Sequence, residues 1–206
     1  MTQSRTEVTQ RRYDRIAPLY NLIETPMERT RFSSWRKRLR DRIIGKQVLE
    51  VGVGTGKNLS CYPEDIEITA IDLSPRMIHR AQERAKGLGL NVKLRQMDVQ
   101  QLQFPDQSFD TVFATFVFCS VPDPILGLRE LHRVCKPGGR LLLLEHMRPG
   151  NQLMGSLFDL LNPMVVRMMG ANINRRTLDN IYNAGWNVEF VKNLASDIVR
   201  WIEARP

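Results

Sequence analysis

The segment Val-Leu-Glu-Val-Gly-Val-Gly-Thr-Gly at positions 48–56 constrains the fold more than any other feature. An apolar stretch runs straight into Gly52, Gly54 and Gly56, and a helical stretch follows. Glycine is needed where a ligand approaches the backbone closely or where φ is positive. Open α/β sheets bind nucleotides just beyond the carboxyl end of the first strand. The segment therefore predicts a strand, a glycine turn and a helix, and the turn is either a ligand loop or a purely structural one.

Short apolar segments alternate with helical patterns along the rest of the chain. We expect strands at 47–52, 67–72, 91–97, 109–115, 140–145 and 186–192, and helices at 75–87, 124–135 and 175–184. Lys-Pro-Gly-Gly at 136–139 predicts a sharp break, and Gly185 is expected to cap the last helix. Alternating strands and helices imply a parallel sheet with right-handed crossovers. The prediction is a doubly wound α/β domain over 47–206 behind an N-terminal helical arm or lid over 1–46.

Composition narrows the class of protein. With 206 residues and 42% hydrophobic residues, the chain can bury one sizeable core. No apolar run approaches the ~18 residues of a membrane-spanning helix, and the N-terminus lacks an apolar signal segment, so we expect a cytoplasmic protein. The spacing of Cys61, Cys119 and Cys135 matches neither a zinc site nor a disulfide framework, so no metal is expected.

The net charge of +8 is concentrated in the arm. Residues 1–46 hold 12 Lys/Arg against 5 Asp/Glu. Within the arm, an apolar stripe at helical spacing consists of Phe32, Trp35, Leu39 and Ile43. Basic residues largely surround it: Arg31, Arg36, Lys37, Arg38, Arg40 and Arg42. The stripe predicts a helix packed on the domain with a solvated basic face, or a basic amphipathic helix lying on an anionic membrane, and both can hold at once.

Two carboxylates follow the next two predicted strands. Asp72 comes 16 residues after Gly56, where dinucleotide-binding folds place an acid that accepts hydrogen bonds from ribose hydroxyls. Asp98 ends the third strand, where it could accept a hydrogen bond from an adenine amino group or simply cap a turn. The glycines read G-x-G-x-G rather than G-x-G-x-x-G, so a nucleoside without phosphates suits this loop better than a dinucleotide.

Four segments together resemble one family. They are LEVGVGTG at 49–56, AIDLSPRMI at 70–78, the stretch 97–124, and LHRVCKPGGRLLLLEH at 131–146. Over about 13–147 the chain resembles the class I S-adenosylmethionine-dependent methyltransferases, especially the branch grouped with ubiquinone/menaquinone-biosynthesis enzymes. The resemblance implies a Rossmann-like seven-stranded sheet with one late antiparallel strand, and S-adenosyl-L-methionine as cofactor.

The resemblance also assigns roles to individual residues. The glycines and Glu50 would surround the methionine portion of the cofactor, and Asp72 and Asp98 would hold its ribose and adenine. The full set of implied cofactor contacts is Tyr13, Glu50, Gly52, Gly54, Gly56, Asp72, Leu73, Met77, Asp98, Val99, Thr115 and Phe116. The last two of these would also line the methyl-transfer site. The opening RYDRIAPLYN at 12–21 resembles a family motif whose tyrosines, here Tyr13 and Tyr20, help to close the site.

Few residues suit direct catalysis. His146 follows the fifth predicted strand at the edge where substrate should sit, so it is the best candidate for a base. Its alternative role is a hydrogen bond to a loop. His79 and His132 fall within predicted helices and are expected at the surface or in packing. Nothing near Cys119 would lower its thiol pKa, so we interpret that residue as packing.

The acceptor has to be inferred from the segment 153–170. It is rich in leucine and methionine, and in the family the corresponding segment covers the substrate pocket, although it could also form core helices. Together with the basic arm, it suggests an amphipathic acceptor at a membrane surface, such as phosphatidylethanolamine, and peripheral contact with the anionic inner membrane. Glu145-His146 and the segment 172–177 also resemble small-thiol S-methyltransferases, and quinone C-methylation stays open.

Two other classes of protein remain as alternatives. An NAD-dependent oxidoreductase is disfavoured because the sixth position of its G-x-G-x-x-G motif is not glycine here, and because a Tyr-x-x-x-Lys type pair is lacking. Nucleic-acid binding or RNA modification is suggested only by basicity around Trp35. It is disfavoured because no Asn/Asp-Pro-Pro-Tyr-type motif follows the fourth strand. The sequence does not predict an oligomeric state.

Overall fold

The computed structural model describes residues 4–27 and 33–206, with side chains throughout these ranges except at 18–27, 33 and 169. Two helices come first, α1 (Arg5–Met27) and α2 (Ser33–Arg40). The elements that follow are β1 (Gln47–Val51), a short 3-10 helix (Leu59–Cys61), β2 (Glu67–Asp72), α3 (Pro75–Gly87), β3 (Lys93–Gln96), β4 (Phe109–Thr115), α4 (Pro124–Val134), β5 (Cys135–His146), α5 (Gln152–Met169), α6 (Thr177–Asn183), β6 (Asn187–Ala195) and β7 (Val199–Arg205).

The seven strands form one mixed sheet in the order β3-β2-β1-β4-β5-β7-β6. The first five strands of this order are parallel, and β7 runs antiparallel to both β5 and β6. The chain winds outward from β1 to β3 and then returns to place β4 on the other side of β1. This arrangement confirms the predicted doubly wound sheet with one late antiparallel strand, and its switch point lies between β1 and β4.

The core fills both faces of the sheet. On one face, Leu49 and Val51 of β1 belong to a buried cluster with Leu128 and Leu131 of α4. On the other face, Val48 belongs to a cluster that includes residues of α2 and α3. Because parallel strands are buried on both faces, β1 and β4 read as nearly continuous apolar runs in the sequence.

Both crossover helices start at a polar residue followed by proline. The Oγ of Ser74 accepts a hydrogen bond from the Met77 N–H at 3.1 Å, and Asp123 caps α4 through the Leu126 N–H at 3.0 Å. A proline comes directly after each cap, where its missing N–H costs no helical hydrogen bond. These caps fix where the chain turns from the carboxyl edge of the sheet into a helix.

The structure corrects several predicted boundaries. The expected break at 136–139 lies within β5, which begins at Cys135 and pairs with Phe109 before the register shifts. A Cβ on Gly139 would lie 2.6 Å from the Cys135 Sγ, so this bulge needs glycine. The third strand and the last helix are shorter than predicted, and β6 extends to Ala195. Strand β7 was not individually predicted.

The leucine- and methionine-rich segment forms a single helix, α5, rather than core helices. Much of its apolar surface is exposed, including Leu153, Leu160 and Met168. The core-helix interpretation is therefore wrong. Within the described part of the chain, no helix is long and apolar enough to cross a membrane.

The N-terminal arm packs on the domain through its apolar stripe. Trp35 and Leu39 of α2 are buried, Ile43 packs against the core, and Phe32 lies outside the described residues. Arg36 departs from the prediction, because it is only 6% exposed rather than part of the solvated basic face. Helix α1 contacts α3, and Ser74 donates a 2.5 Å hydrogen bond to the Asp14 carboxylate.

Candidate functional site

A cavity lies at the switch point, where the carboxyl ends of the parallel strands meet helix α1. It is lined by most of the residues that the resemblance implied: Tyr13, Gly52, Gly54, Asp72, Leu73, Met77, Asp98, Val99, Thr115 and Phe116. Met97, which the sequence suggested as an alternative to Val99 against the adenine ring, also lines the cavity. The sequence did not single out the remaining lining residues: Thr9, Ile71, Val117, Ser120, Val121 and Pro122. Glu50, Gly56 and His146 do not line the cavity, and the side chain of Tyr20 lies outside the described residues.

Each of the three glycines of the motif is explained by a different feature of its surroundings. A Cβ on Gly52 would lie 2.3 Å from the Val117 Cγ2, so this glycine allows close packing against the loop after β4. A Cβ on Gly56 would lie 2.5 Å from the Leu59 Cδ1. Gly54 has a φ of 55°, and among the described residues other than its chain neighbours no heavy atom lies within 4 Å of the position its Cβ would take. The backbone at Gly54 therefore borders open space and leaves room for a ligand.

Asp72 connects the glycine loop to the start of α3. One carboxylate oxygen accepts a hydrogen bond from the Gly54 N–H at 2.9 Å, and the other accepts from the Ser74 N–H at 2.9 Å. Burial raises the pKa of Asp72 to about 6, and these two backbone hydrogen bonds oppose the rise. Asp72 thus keeps lone pairs that can accept hydrogen bonds from hydroxyl groups in the cavity.

Asp98 is held by a glutamine that the sequence analysis did not identify. Its carboxylate accepts hydrogen bonds from the Gln100 backbone N–H at 2.9 Å and from the Gln100 side-chain amide at 3.0 Å. The same amide also donates to the Thr6 Oγ1 of α1 at 3.2 Å, and its oxygen accepts from the Asp123 N–H at 2.9 Å. Gln100 therefore ties the third strand end to α1 and to the start of α4.

Helix α1 forms one wall of the cavity. Thr9 and Tyr13 face it, and Asp14 fastens the helix to Ser74. Burial, followed by the nearby Cys119, raises the pKa of the Tyr13 phenol well above its usual value, so Tyr13 stays neutral. Tyr13 therefore lies in the wall of the cavity that α1 forms, and its role in closing the site stays a prediction.

Glu50 lies behind the cavity in a buried polar network. Its carboxylate accepts hydrogen bonds from the Asn58 Nδ2 at 2.6 Å and from the Tyr62 hydroxyl. Burial raises its pKa to about 7. The Arg36 guanidinium donates to the Asn58 Oδ1 at 2.7 Å and to the Thr115 Oγ1 at 3.0 Å. The network therefore links the N-terminal arm to Thr115 in the cavity wall.

The loop after β4 is held in a strained conformation. Phe116 has a φ of 59°, which costs a side-chain-bearing residue of the order of 1–3 kcal/mol. One Glu145 oxygen accepts hydrogen bonds from the Val117 N–H at 2.8 Å and the Phe118 N–H at 3.0 Å. Its other oxygen, Oε2, is buried without a hydrogen-bond partner among the described residues, and burial raises the Glu145 pKa to about 7. Glu145 thus fixes the loop that presents Phe116 to the cavity.

His146 is separated from the cavity by the side chain of Phe116. Its ring centroid lies 4.6 Å from that of Phe116, which does line the cavity. His79 is exposed beside Glu83, and His132 packs against Trp186, as expected for histidines outside the site. Cys119 is buried, and burial raises its thiol pKa well above the usual range, which agrees with a packing role. In the described ranges, no grouping of His, Cys, Asp or Glu could hold a metal ion.

The fold is that of a Rossmann-like protein, and its cavity lies at the switch point of the sheet. Residues 49–143 match the family model described as "Methyltransferase domain". Demethylmenaquinone methyltransferase of Deinococcus radiodurans is 32% identical over 178 residues, which cover 84% of this chain and 74% of that protein. The chain belongs to the class I S-adenosylmethionine-dependent methyltransferases, and its cofactor is S-adenosyl-L-methionine. This result sets aside the oxidoreductase alternative.

Two further comparisons describe the limits of this likeness. Phosphatidylethanolamine N-methyltransferase of Cereibacter sphaeroides is 45% identical over 104 residues, and the match spans about half of each chain, 50% of this one and 51% of that one. Among solved structures, the [4+2]-cyclase SpnF superposes with a TM-score of 0.77 at 20% identity, covering 99% of this chain and 97% of that one. A protein titled as a cyclase thus shares the fold, which therefore does not by itself identify the reaction.

Proposed function

We propose that this methyltransferase acts on a lipidic or small acceptor, and that the acceptor is a phospholipid amine such as phosphatidylethanolamine. The observation that carries the proposal is the set of ionisable groups at the cavity. Among the described lining residues these are Tyr13, Asp72 and Asp98. We assign both acids to the nucleoside, so no carboxylate or imidazole is left beside the acceptor. An amine or a thiol can lose its proton to water before it attacks, so neither needs such a base. The similarity to a phosphatidylethanolamine N-methyltransferase favours the amine.

The residues present fit the cofactor. Gly54 leaves open space at the backbone, as a cofactor that lies directly against the loop requires. We propose that Asp72 accepts hydrogen bonds from the ribose hydroxyls, that Asp98 accepts one from the adenine amino group, and that Met77 and Val99 pack against the base. When bound, the cofactor supplies an activated methyl group on a positively charged sulfur. Glu50 and Gly56 would support the loop from behind.

The protein's own contribution is alignment and the exclusion of water. Tyr13 on α1 covers the cavity, while Phe116, Val117, Val121 and Pro122 supply apolar walls. We propose that His146 acts through the Phe116 ring as a positioning residue. Its earlier interpretation as a base remains the alternative. The two roles are separated by the pH–rate profile of a His146→Ala variant. If His146 is the base, the variant should no longer show the fall in rate at low pH that follows protonation of His146. If His146 is a positioning residue, the rate should fall by the same factor at every pH.

Quinone C-methylation is the second candidate, since the demethylmenaquinone methyltransferase match covers more of the chain than the phospholipid one. Methylation of a quinol carbon requires a base that removes a hydroxyl proton. With both acids assigned to the nucleoside, the described cavity residues leave no carboxylate or imidazole for that step. Small-thiol S-methylation is the third. For either lipidic acceptor, we propose that the basic N-terminal region attracts the protein to the anionic cytoplasmic face of the membrane.

The test uses purified protein and methyl-labelled S-adenosylmethionine. Separate reactions contain detergent-dispersed phosphatidylethanolamine, a reduced naphthoquinone, or a small alkyl thiol, and labelled products are resolved by chromatography. We expect label in the phospholipid headgroup. Label in the quinol or thiol with none in phosphatidylethanolamine would overturn the proposed acceptor. A Gly89→Ala variant, in which the changed residue does not line the cavity, serves as the control for nonspecific loss of activity.

A further inference from the structure

The outward face of α5 carries an uninterrupted apolar surface. Its residues recur at helical spacing and all are exposed: Leu153, Leu157, Leu160, Leu161, Met164 and Met168, which we call the α5 stripe. Leu153 is 84% exposed, Leu160 76% and Met168 74%. Successive positions three and four residues apart lie on one side of a helix. An apolar patch of this kind on a soluble domain marks an interaction surface.

The opposite face of α5 is fastened to the domain, so the stripe cannot be turned inward. The Asn162 Oδ1 accepts a hydrogen bond from the Ile173 N–H at 2.9 Å. Asp159 accepts from the Arg148 guanidinium at 2.9 Å and from the Asn174 side-chain amide at 3.0 Å. Gly155 is buried against Arg148, where a Cβ would lie 2.3 Å from the guanidinium. Polar contacts on the opposite face of the helix therefore fix the outward orientation of the stripe.

The charges around the helix are mostly positive. Asp159 is the only acidic residue of α5, and Arg148 neutralises it. Arg167 is exposed one turn from Met164, at the border of the stripe. Arg12 packs against Gly170 at the end of the helix. On the opposite face, the hydrogen bond from Arg148 and then the charge of Arg176 lower the pKa of Asp159. An apolar stripe with a basic border is complementary to an anionic bilayer surface.

We propose that α5 lies in the surface of an anionic phospholipid bilayer, with its stripe inserted at the boundary between headgroups and acyl chains. Eighteen residues form a helix of about 27 Å, which suits an orientation along the surface. A second copy of this chain is a poorer partner, because stacking two stripes would bring their arginine borders together. The inference deepens the proposed function by supplying the surface from which a lipid acceptor enters.

Contacts beyond α5 connect this surface to the cavity wall. The backbone N–H and the side-chain amide of Asn172 both donate to the Cys119 carbonyl, at 2.8 and 3.0 Å. The Arg175 guanidinium donates to the Val121 carbonyl at 2.7 Å, and Val121 lines the cavity. The segment directly after α5 is thus attached to the loop around Cys119 and Val121, and this loop borders the cavity. Docking through α5 would therefore hold a wall of the cavity close to the membrane.

The test is vesicle flotation of the full chain at micromolar concentration. Vesicles contain phosphatidylcholine alone or an equal mixture with phosphatidylglycerol. We expect the wild-type protein to float with the anionic vesicles and to lose roughly a hundredfold in partitioning when both Leu160 and Met168 are changed to glutamate, because each buried side chain contributes about tenfold. Leu88→Glu is the matched control, since Leu88 is also an exposed leucine, 45% exposed, but follows α3. Arg167→Gln should lower anionic binding about fivefold.

Two results would overturn the inference. One is a failure of the flotation pattern: either the wild-type protein binds neither kind of vesicle, or the double glutamate variant floats as well as the wild type. The other is a concentration-dependent dimer that the double variant abolishes, which would make a second copy the occupant. Folding of each variant is checked by its thermal shift with S-adenosylhomocysteine.

The flotation test of α5 and the methylation test of the proposed function can fail independently of each other. Methylation of detergent-dispersed phosphatidylethanolamine does not require docking, so it can succeed while flotation fails. Conversely, α5-dependent flotation together with label only in a soluble thiol would retain the docking surface and reject the lipid acceptor.

Discussion

Replacing Gly54 with alanine tests the cavity most cleanly, because the added methyl group meets no protein atom. Gly54 has a φ of 55°, and its Cβ would have open space for 4 Å. Alanine in this left-handed region costs about 1 kcal/mol relative to glycine. No clash adds to this cost, so the free energy of unfolding should fall by about 1 kcal/mol and the Tm by about 2–4 °C.

The same methyl group would stand in the space where we propose that the cofactor lies against the loop. Overfilling a close contact costs on the order of 1–3 kcal/mol, so affinity for S-adenosylhomocysteine should fall roughly tenfold or more. Gly89→Ala is the matched control, since Gly89 has a φ of 67° and equally open space but does not line the cavity. Calorimetric titration and thermal unfolding would be run on both variants. Equal affinity in Gly54→Ala and Gly89→Ala would refute the assignment of the cavity to the cofactor.

Three further predictions concern the surrounding groups. Arg36→Ala should lower the free energy of unfolding by about 2–4 kcal/mol, since it removes buried charge-assisted hydrogen bonds. Arg38→Ala, at an exposed arginine of the same helix, should change it by less than about 0.5 kcal/mol. Both values are measured by urea unfolding, and equal effects would contradict the buried network. Phe116→Gly should be about 1 kcal/mol more stable than Phe116→Ala, because glycine relieves the positive φ; a less stable glycine variant would show that strain is absent. Burial raises the pKa of Glu50 and of Glu145 to about 7, so their contribution to stability is present below the ordinary value of 4.5 and is lost as the pH rises through 7. The cofactor-free protein should therefore lose stability between pH 5 and 8, and Glu145→Gln should flatten that decline; an unchanged slope would argue against the buried acid.

The strand edge of the cavity could be anticipated from sequence because its glycine loop and its two acids lie at or just after the ends of strands. Gly52, Asp72 and Asp98 are far apart along the chain, but the carboxyl ends of parallel strands meet at one edge of the sheet. Local pattern therefore predicted which side chains would gather there. The same reasoning could not show that Glu50 and Gly56 face away from the cavity, because that depends on how the turn packs against Leu59 and α3.

Other features depend on tertiary contacts that local pattern does not encode. Arg36 stands among exposed basic residues in sequence, but it is buried in the structure and donates hydrogen bonds to Asn58 and Thr115. Strand β7 was missed because the buried Glu203 interrupts its apolar pattern, although this glutamate accepts a hydrogen bond from the Trp201 indole. The exposure of α5 was likewise hidden, since a leucine- and methionine-rich helix has the composition of a core element.

The most direct test of the central claim is a crystal structure of the protein with S-adenosylhomocysteine. The account predicts the ribose within hydrogen-bond distance of Asp72, the adenine beside Asp98 and Val99, and the homocysteine portion against Gly54. Density for the ligand at another surface, or a ribose that does not contact Asp72, would contradict it.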